Sequence, residues 1–197
     1  MNFRWRFLLQ AILCLASSCL PMRAQQNGRF ADLKEQAFNL FQKGRYAEVA
    51  GKMEEIWEQD QSDPKVAEYL AMGYLYGEHD ADKARPLMDQ AIAKGGQATF
   101  LVAHSHERLS VLQGDTMNQF CNGRISISPG KLVFVSDSGE HSATITSTDL
   151  RDFSVLSGPS GRIRIKAAGK SYVFRVKTQT REEAILLGHV AQENLKQ

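Results

Sequence analysis

The chain reads as an α+β protein: paired helices come first, then a small antiparallel β-barrel or sandwich closed by a C-terminal helix. Three observations predict this. Apolar residues recur at helical spacing from Phe30 to about Ala93. After Gly95-Gly96 the period changes to two. A last stripe of Leu187, Ala191 and Leu195 returns to the helical spacing. The expected organisation is a leader over 1–24, a helical module over 30–96 and a β module over 98–197.

The leader has the layout of a secretory signal. Arg4 and Arg6 precede an apolar run from Phe7 to Leu15, Pro21 breaks it, and Ala24 is small enough for a cleavage site. The run is too short to cross a bilayer core of ~30 Å as a helix. The mature chain is therefore expected to begin at Gln25. Cys19 after Ala16-Ser17-Ser18 offers a second course, lipid anchoring, with Ala16 a poor match to the apolar residue such a box needs. Either way the expected location is exported, periplasmic or extracellular. Removing Arg4, Arg6 and Arg23 turns the formal charge of +2 into −1. A general nucleic-acid binder needs a basic excess, and none is left. Only Cys121 of the 3 cysteines survives cleavage, so no internal disulfide is expected and the fold must rest on packed cores. As a free cysteine, Cys121 reads as a small buried residue.

Each helix has its own signal. Leu33, Ala37, Leu40 and Phe41 share one face, and Tyr46, Val49, Ala50, Met53 and Trp57 share another. Lys43-Gly44-Arg45 separates them, with Gly44 suited to a left-handed cap. Asp63-Pro64 opens a third helix carrying Val66, Leu70, Gly73 and Tyr74. Gly77 to Asp82 reads as a polar break. Asp82 is the expected cap of a fourth helix with Ala84, Leu87, Met88 and Ala91, in which Pro86 falls near the first turn.

These units repeat at a spacing of 34, aligning Ala37 with Ala71, Ala50 with Ala84 and Met53 with Leu87. The stretch from Ala37 to Ala50 resembles the tetratricopeptide repeat family, with Ala50, Gly44 and Tyr46 in its small, glycine and aromatic positions. The second unit departs from that pattern at Glu78 and Asp80, although Gly77 lies close by. A four-helix bundle with chance periodicity is the alternative. The resemblance implies a groove for a partner segment, in which Tyr46, Tyr74 and Tyr76 are candidate contacts or core residues. Repeats of this kind bury their faces by stacking, and about three are usually needed. Two are present, so the β module or a second copy of the chain must cover the open end.

In the second half Phe100, Val102 and His104 share one strand face. Asn122-Gly123 precedes a strand over Arg124 to Ile127, and Ser128-Pro129-Gly130 turns into Leu132 to Val135. Further strands are expected around Ala143 and Ile145, Phe153 to Leu156, Arg162 to Lys166 and Tyr172 to Val176. Thr180 and Glu183 form a capping box for the last helix. The order of elements, and the runs Cys121 to Phe134 and Gly169 to Phe174, resemble bacterial pleckstrin-homology-like domains. An unrelated antiparallel barrel is the alternative. The resemblance implies a platform for protein or lipid binding and does not choose between them.

Candidate chemistry is sparse. His104 and His106 fall on one strand face and are weak candidates for a metal, with His141 or Cys121 as further ligands; structural zinc sites normally need four. No cofactor is expected. The adjacent pairs Glu54-Glu55 and Glu182-Glu183 read as solvated helix charges. Gly158-Pro159-Ser160-Gly161 lacks the strand-to-helix setting of a nucleophile elbow. Arg162, Arg164 and Lys166 point to one strand face, with Arg175 and Lys177 beside them, and would suit an anionic partner. The expectation is a non-enzymatic adaptor for a protein or peptide, with a membrane-surface module as the rival and a homo-oligomer allowed.

Overall fold

The computed structural model describes residues 28–106, 119–158 and 160–195. The leader, with Cys19, Ala24 and Gln25, lies outside them, as does Pro159. No described helix is long and apolar enough to cross a membrane.

Helix α1 spans residues 28–42 and ends as the sequence predicts. Gly44 takes φ +71°. Its N–H donates to Phe41 O, and the Arg45 N–H reaches back to Leu40 O. That bond pair satisfies carbonyls left open by the last turn and reverses the chain into α2, Tyr46–Trp57. Helix α3 covers Pro64–Gly73, with Asp63 as its cap and proline at its start. It runs on into a π-helical turn, Tyr74–Glu78, so the expected polar break is part of a helix instead. The wider turn carries Leu75 and Tyr76 into the core. His79, at φ 58°, makes the left-handed exit. Helix α4, Ala81–Ala93, is capped by Asp80, whose side chain accepts from the Lys83 N–H. The expected cap, Asp82, lies inside the first turn; it fails because the π turn shifts the boundary back by two residues. Pro86 is consequently well inside α4, on its exposed face.

Small residues set the spacing of these helices. Gly73 and Gly77 lie against α2 so closely that a Cβ on Gly77 would fall 2.3 Å from the Ala47 nitrogen, and one on Gly73 would fall 2.7 Å from that of Ala50. Gly77 thus serves helix approach and not a turn.

The β strands are β1 (Ala98–His106), β2 (Gln119–Ser128), β3 (Lys131–Ser136), β4 (Ser142–Thr146), β5 (Leu150–Val155), β6 (Arg162–Ala167) and β7 (Lys170–Val176). They form one antiparallel sheet in the order β4-β3-β2-β1-β7-β6-β5. The expected barrel does not close: β4 and β5 are the two edges. They follow one another in the chain, yet the corner between them bonds outward. The Ser147 N–H donates to Gly130 O, and Asp149 O accepts from the Ala168 N–H. Closure comes from helix α5, Arg181–Leu195, which touches β2, β3, β5, β6 and β7. Its Ala184, Leu187, Val190, Ala191 and Leu195 are buried against the inward residues Phe100, Ile125, Leu132, Phe134, Ile163, Ile165 and Phe174. Burying each large side chain of this kind contributes ~1.5–3 kcal/mol relative to exposure. Asn122 and Gly123, expected before the strand, are inside β2, where Gly123 lets the backbone of β3 approach.

The helices sit against the sheet as a second layer, and their apolar residues belong to the same core cluster. Thr99 of β1 donates to Glu68 of α3 at 2.5 Å. Arg85 of α4 meets Glu193 of α5 at 3.1 Å.

Candidate functional site

Where the two layers meet, the outer face of the sheet and the α1–α2 corner enclose an open groove of about 470 Å³. Ligand sites commonly measure ~300–1,000 Å³. Strand order builds its floor. Leu101 and Ala103 of β1 point outward along the middle. Arg124 pairs with Leu101 from β2, Arg175 pairs with Ala103 from β7, and the Lys177 N–H donates to Leu101 O. An apolar strip is therefore flanked by one cation on one side and two on the other. Phe41, Gln42 and Tyr46 form the wall contributed by the helices, and Asn122, Asp137 and Gln179 complete the rim.

The aromatic wall is organised. Phe41 meets Tyr46 edge-on at 5.5 Å and Tyr69 at 5.4 Å. The Lys177 ammonium lies 5.5 Å above the Tyr46 ring, and the Arg175 guanidinium lies 4.5 Å above Phe120. Among the described residues no carboxylate forms an ion pair with Arg124, Arg175 or Lys177.

The residues expected to bind are separated by this arrangement. Tyr46 lines the groove. Tyr74 does not; it donates to Glu54 at 2.5 Å, and Lys83 covers its ring. Tyr76 is only 7% exposed and is an interface residue, not a groove contact. Its hydroxyl accepts from the Leu101 N–H at 2.7 Å and donates to Glu183 at 2.8 Å. Arg162, Arg164 and Lys166 do share the outer face of β6, with Ile163 and Ile165 inward. Arg162 stands directly across from Arg175, so the basic ridge of β6 meets the groove at that pair.

Glu183 corrects the expectation of a solvated charge. It is 1% exposed. One carboxylate oxygen accepts from Tyr76; the other accepts from the Thr178 N–H at 2.8 Å and the Thr178 hydroxyl at 2.5 Å. Burial pushes its carboxyl above the usual range, against the pull of those donors. Burial, with the Glu183 charge behind it, likewise holds the Tyr76 hydroxyl well above its ordinary range. The capping box forms by half. The Glu183 N–H donates to the Thr180 hydroxyl, while the Glu183 side chain turns to Thr178 and Tyr76.

His104 is half-buried beside Phe134, Tyr172 and Phe174, with ring centroids 5.3, 6.2 and 5.1 Å away. The Cys121 sulfur lies 3.9 Å from its Nδ1. Burial raises the Cys121 thiol, whereas a nucleophilic cysteine requires a lowered one. The His106 side chain lies outside the described residues. Among the described residues no group of three or more His, Cys, Asp or Glu side chains is placed to hold a metal ion.

No family profile matches the chain, and no curated protein matches it. Among solved structures it is similar to the pleckstrin homology domain of USP37. The match has 13% identity and a TM-score of 0.33, and covers 51% of this chain and 99% of that one.

Proposed function

We propose that this protein is an exported, non-enzymatic adaptor that holds a segment of another protein in the groove between its helices and its sheet. The groove itself carries the reading. It is made jointly by Phe41 and Tyr46 from the helices and by Leu101, Arg124, Arg175 and Lys177 from the sheet, so the site exists only when both layers are docked. On this reading α1 to α4 are two tetratricopeptide-type hairpins, a pairing supported by Gly44 and Ala50 in their expected places. The sheet with α5 is a pleckstrin-homology-like unit that covers their open end.

Photo-crosslinking in the native host tests the proposal. A photoreactive residue at Gln42 or Asn122 should capture a protein, and the same probe at Thr144, on the exposed side of β4, should not. Equal capture at all three positions, or none at the groove, would sink it.

The ridge of Arg162, Arg164 and Lys166 supports a second reading, a membrane-surface module. If that reading holds, Arg162→Glu with Arg164→Glu abolishes flotation with anionic liposomes; on the adaptor reading there is no flotation to abolish.

A further inference from the structure

Building on the adaptor reading, we infer that the groove takes an acidic, extended peptide segment whose carboxylates meet Arg124, Arg175 and Lys177 and whose apolar side chains lie on Leu101 and Ala103. Three features of the site carry this.

The first is charge. The cations of the groove have no carboxylate partner among the described residues, and Arg162 stands directly opposite Arg175 in the strand register. Like charges directly opposed on a sheet are destabilising. An incoming carboxylate beside Arg175 offsets that cost and gains charge-assisted hydrogen bonds.

The second is the mode of contact. Strand β1 is bonded to β2 along its length and to β7 at Val102–His104, and at Leu101 the Tyr76 hydroxyl and the Lys177 N–H take the backbone groups on that side, so its groove-lining residues offer no free edge for strand addition. Recognition must pass through side chains. In an extended segment alternate side chains point the same way. Leu101 and Ala103, two positions apart on β1, fit one such row. The flanking cations fit acidic groups on either side of it.

The third is shape. The α1–α2 corner, with Phe41 and Tyr46, walls the floor on one side and makes it a recess. A narrow chain can enter such a recess, whereas a bilayer surface suits the open ridge of β6. Asp137, the one acidic residue lining the groove among the described residues, lies at the β2–β3 end, where its N–H donates to Asn122 O. It repels carboxylates there and places the acidic residues toward Arg175 and Lys177.

The experiment uses the full purified chain and fluorescent nine-residue peptides with Glu and Leu alternating, matched against Gln–Leu and Lys–Leu versions. Anisotropy should show the Glu peptide binding at least about ten-fold more tightly than the other two, with affinity falling as salt rises. Arg124→Glu and Arg175→Glu should each weaken it at least about ten-fold, Asp137→Asn should tighten it, and Lys166→Glu on the far end of β6 should change nothing. Thermal melts of each variant establish that it is folded. Equal binding of the Glu and Gln peptides, indifference to Arg124→Glu and Arg175→Glu, or displacement of the peptide by anionic vesicles would overturn the inference. If groove crosslinks to a protein persist while the Glu peptide fails, this inference falls and the adaptor reading stands; if the crosslinks fail as well, both fall.

Discussion

Glu183 is a buried carboxylate with three hydrogen-bond donors and no lysine or arginine paired to it among the described residues. Its folded pKa is raised by burial, so the native state holds a proton where the unfolded chain has released it. Stability then falls as pH rises, because the unfolded state binds fewer protons. The chain should gain stability as pH falls through the raised value toward the ordinary 4.5. Asp89 is raised in the same sense, by burial and by Glu193. The difference between the wild type and Glu183→Gln isolates Glu183. In urea midpoints measured at steps from pH 7.5 to pH 4.5, the wild type should rise relative to Glu183→Gln as pH falls; parallel curves would contradict the assignment. Tyr76→Phe deprives two buried groups, the Leu101 N–H and the Glu183 carboxylate, of a partner. It should cost ~1–3 kcal/mol for each group left unsatisfied, read as a lower urea midpoint. None of this is legible locally, because Tyr76 and Glu183 are 107 positions apart. Glu183 in sequence is one of two adjacent acids at a helix start, where a solvated charge is the ordinary outcome.

At the scale of elements, the helices were the legible part. The apolar stripes mark α1 to α4 because their period is local, and Gly44 and Pro64 mark ends for steric reasons that need no tertiary context. The π turn was not legible. Tyr74 reads as the end of a helical stripe and Gly77 to Asp82 as a polar break until Gly77 is seen pressed on Ala47, and the fourth cap is then Asp80 in place of Asp82. Gly77→Ala should therefore destabilise by ~1–3 kcal/mol through overpacking, although alanine is the better helix former. A thermal melt checks it: the transition should fall, and a rise would mean that α2 and α3 can separate without cost. Asp80→Ala should cost ~0.5–2 kcal/mol, typical of a lost cap, and Asp82→Ala much less. The strands were legible through alternation, but not the groove. Arg124 and Arg175 come together because β1 lies between β2 and β7, and a strand order is a non-local fact that no single segment records.

For the whole molecule, the proposals of export and of a two-layer adaptor have separate tests. Intact mass of the protein from its host should fit a chain starting at Gln25; a lipid-modified start at Cys19 would make it a tethered adaptor, and an unprocessed Met1 would refute cleavage and leave an uncleaved N-terminal anchor as the alternative. Docking of the layers through Tyr76, Thr99 and Arg85 should make thermal unfolding one transition. Two separable transitions would show that the shared core does not couple them.

The position of β1 has a last consequence, in time. It lies at the centre of the sheet between β2 and β7, with its Phe100 side chain fully buried on the inner face and α3 in contact with it. Its amides open only when the whole structure does, while those on the outer sides of β4 and β5 face solvent. Isotope exchange should therefore spread inward from both edges and reach Phe100 and Val102 last. A ligand held in the groove should slow the β1–β7 seam and leave the edges unchanged, which makes the exchange clock of one strand a reporter of occupancy.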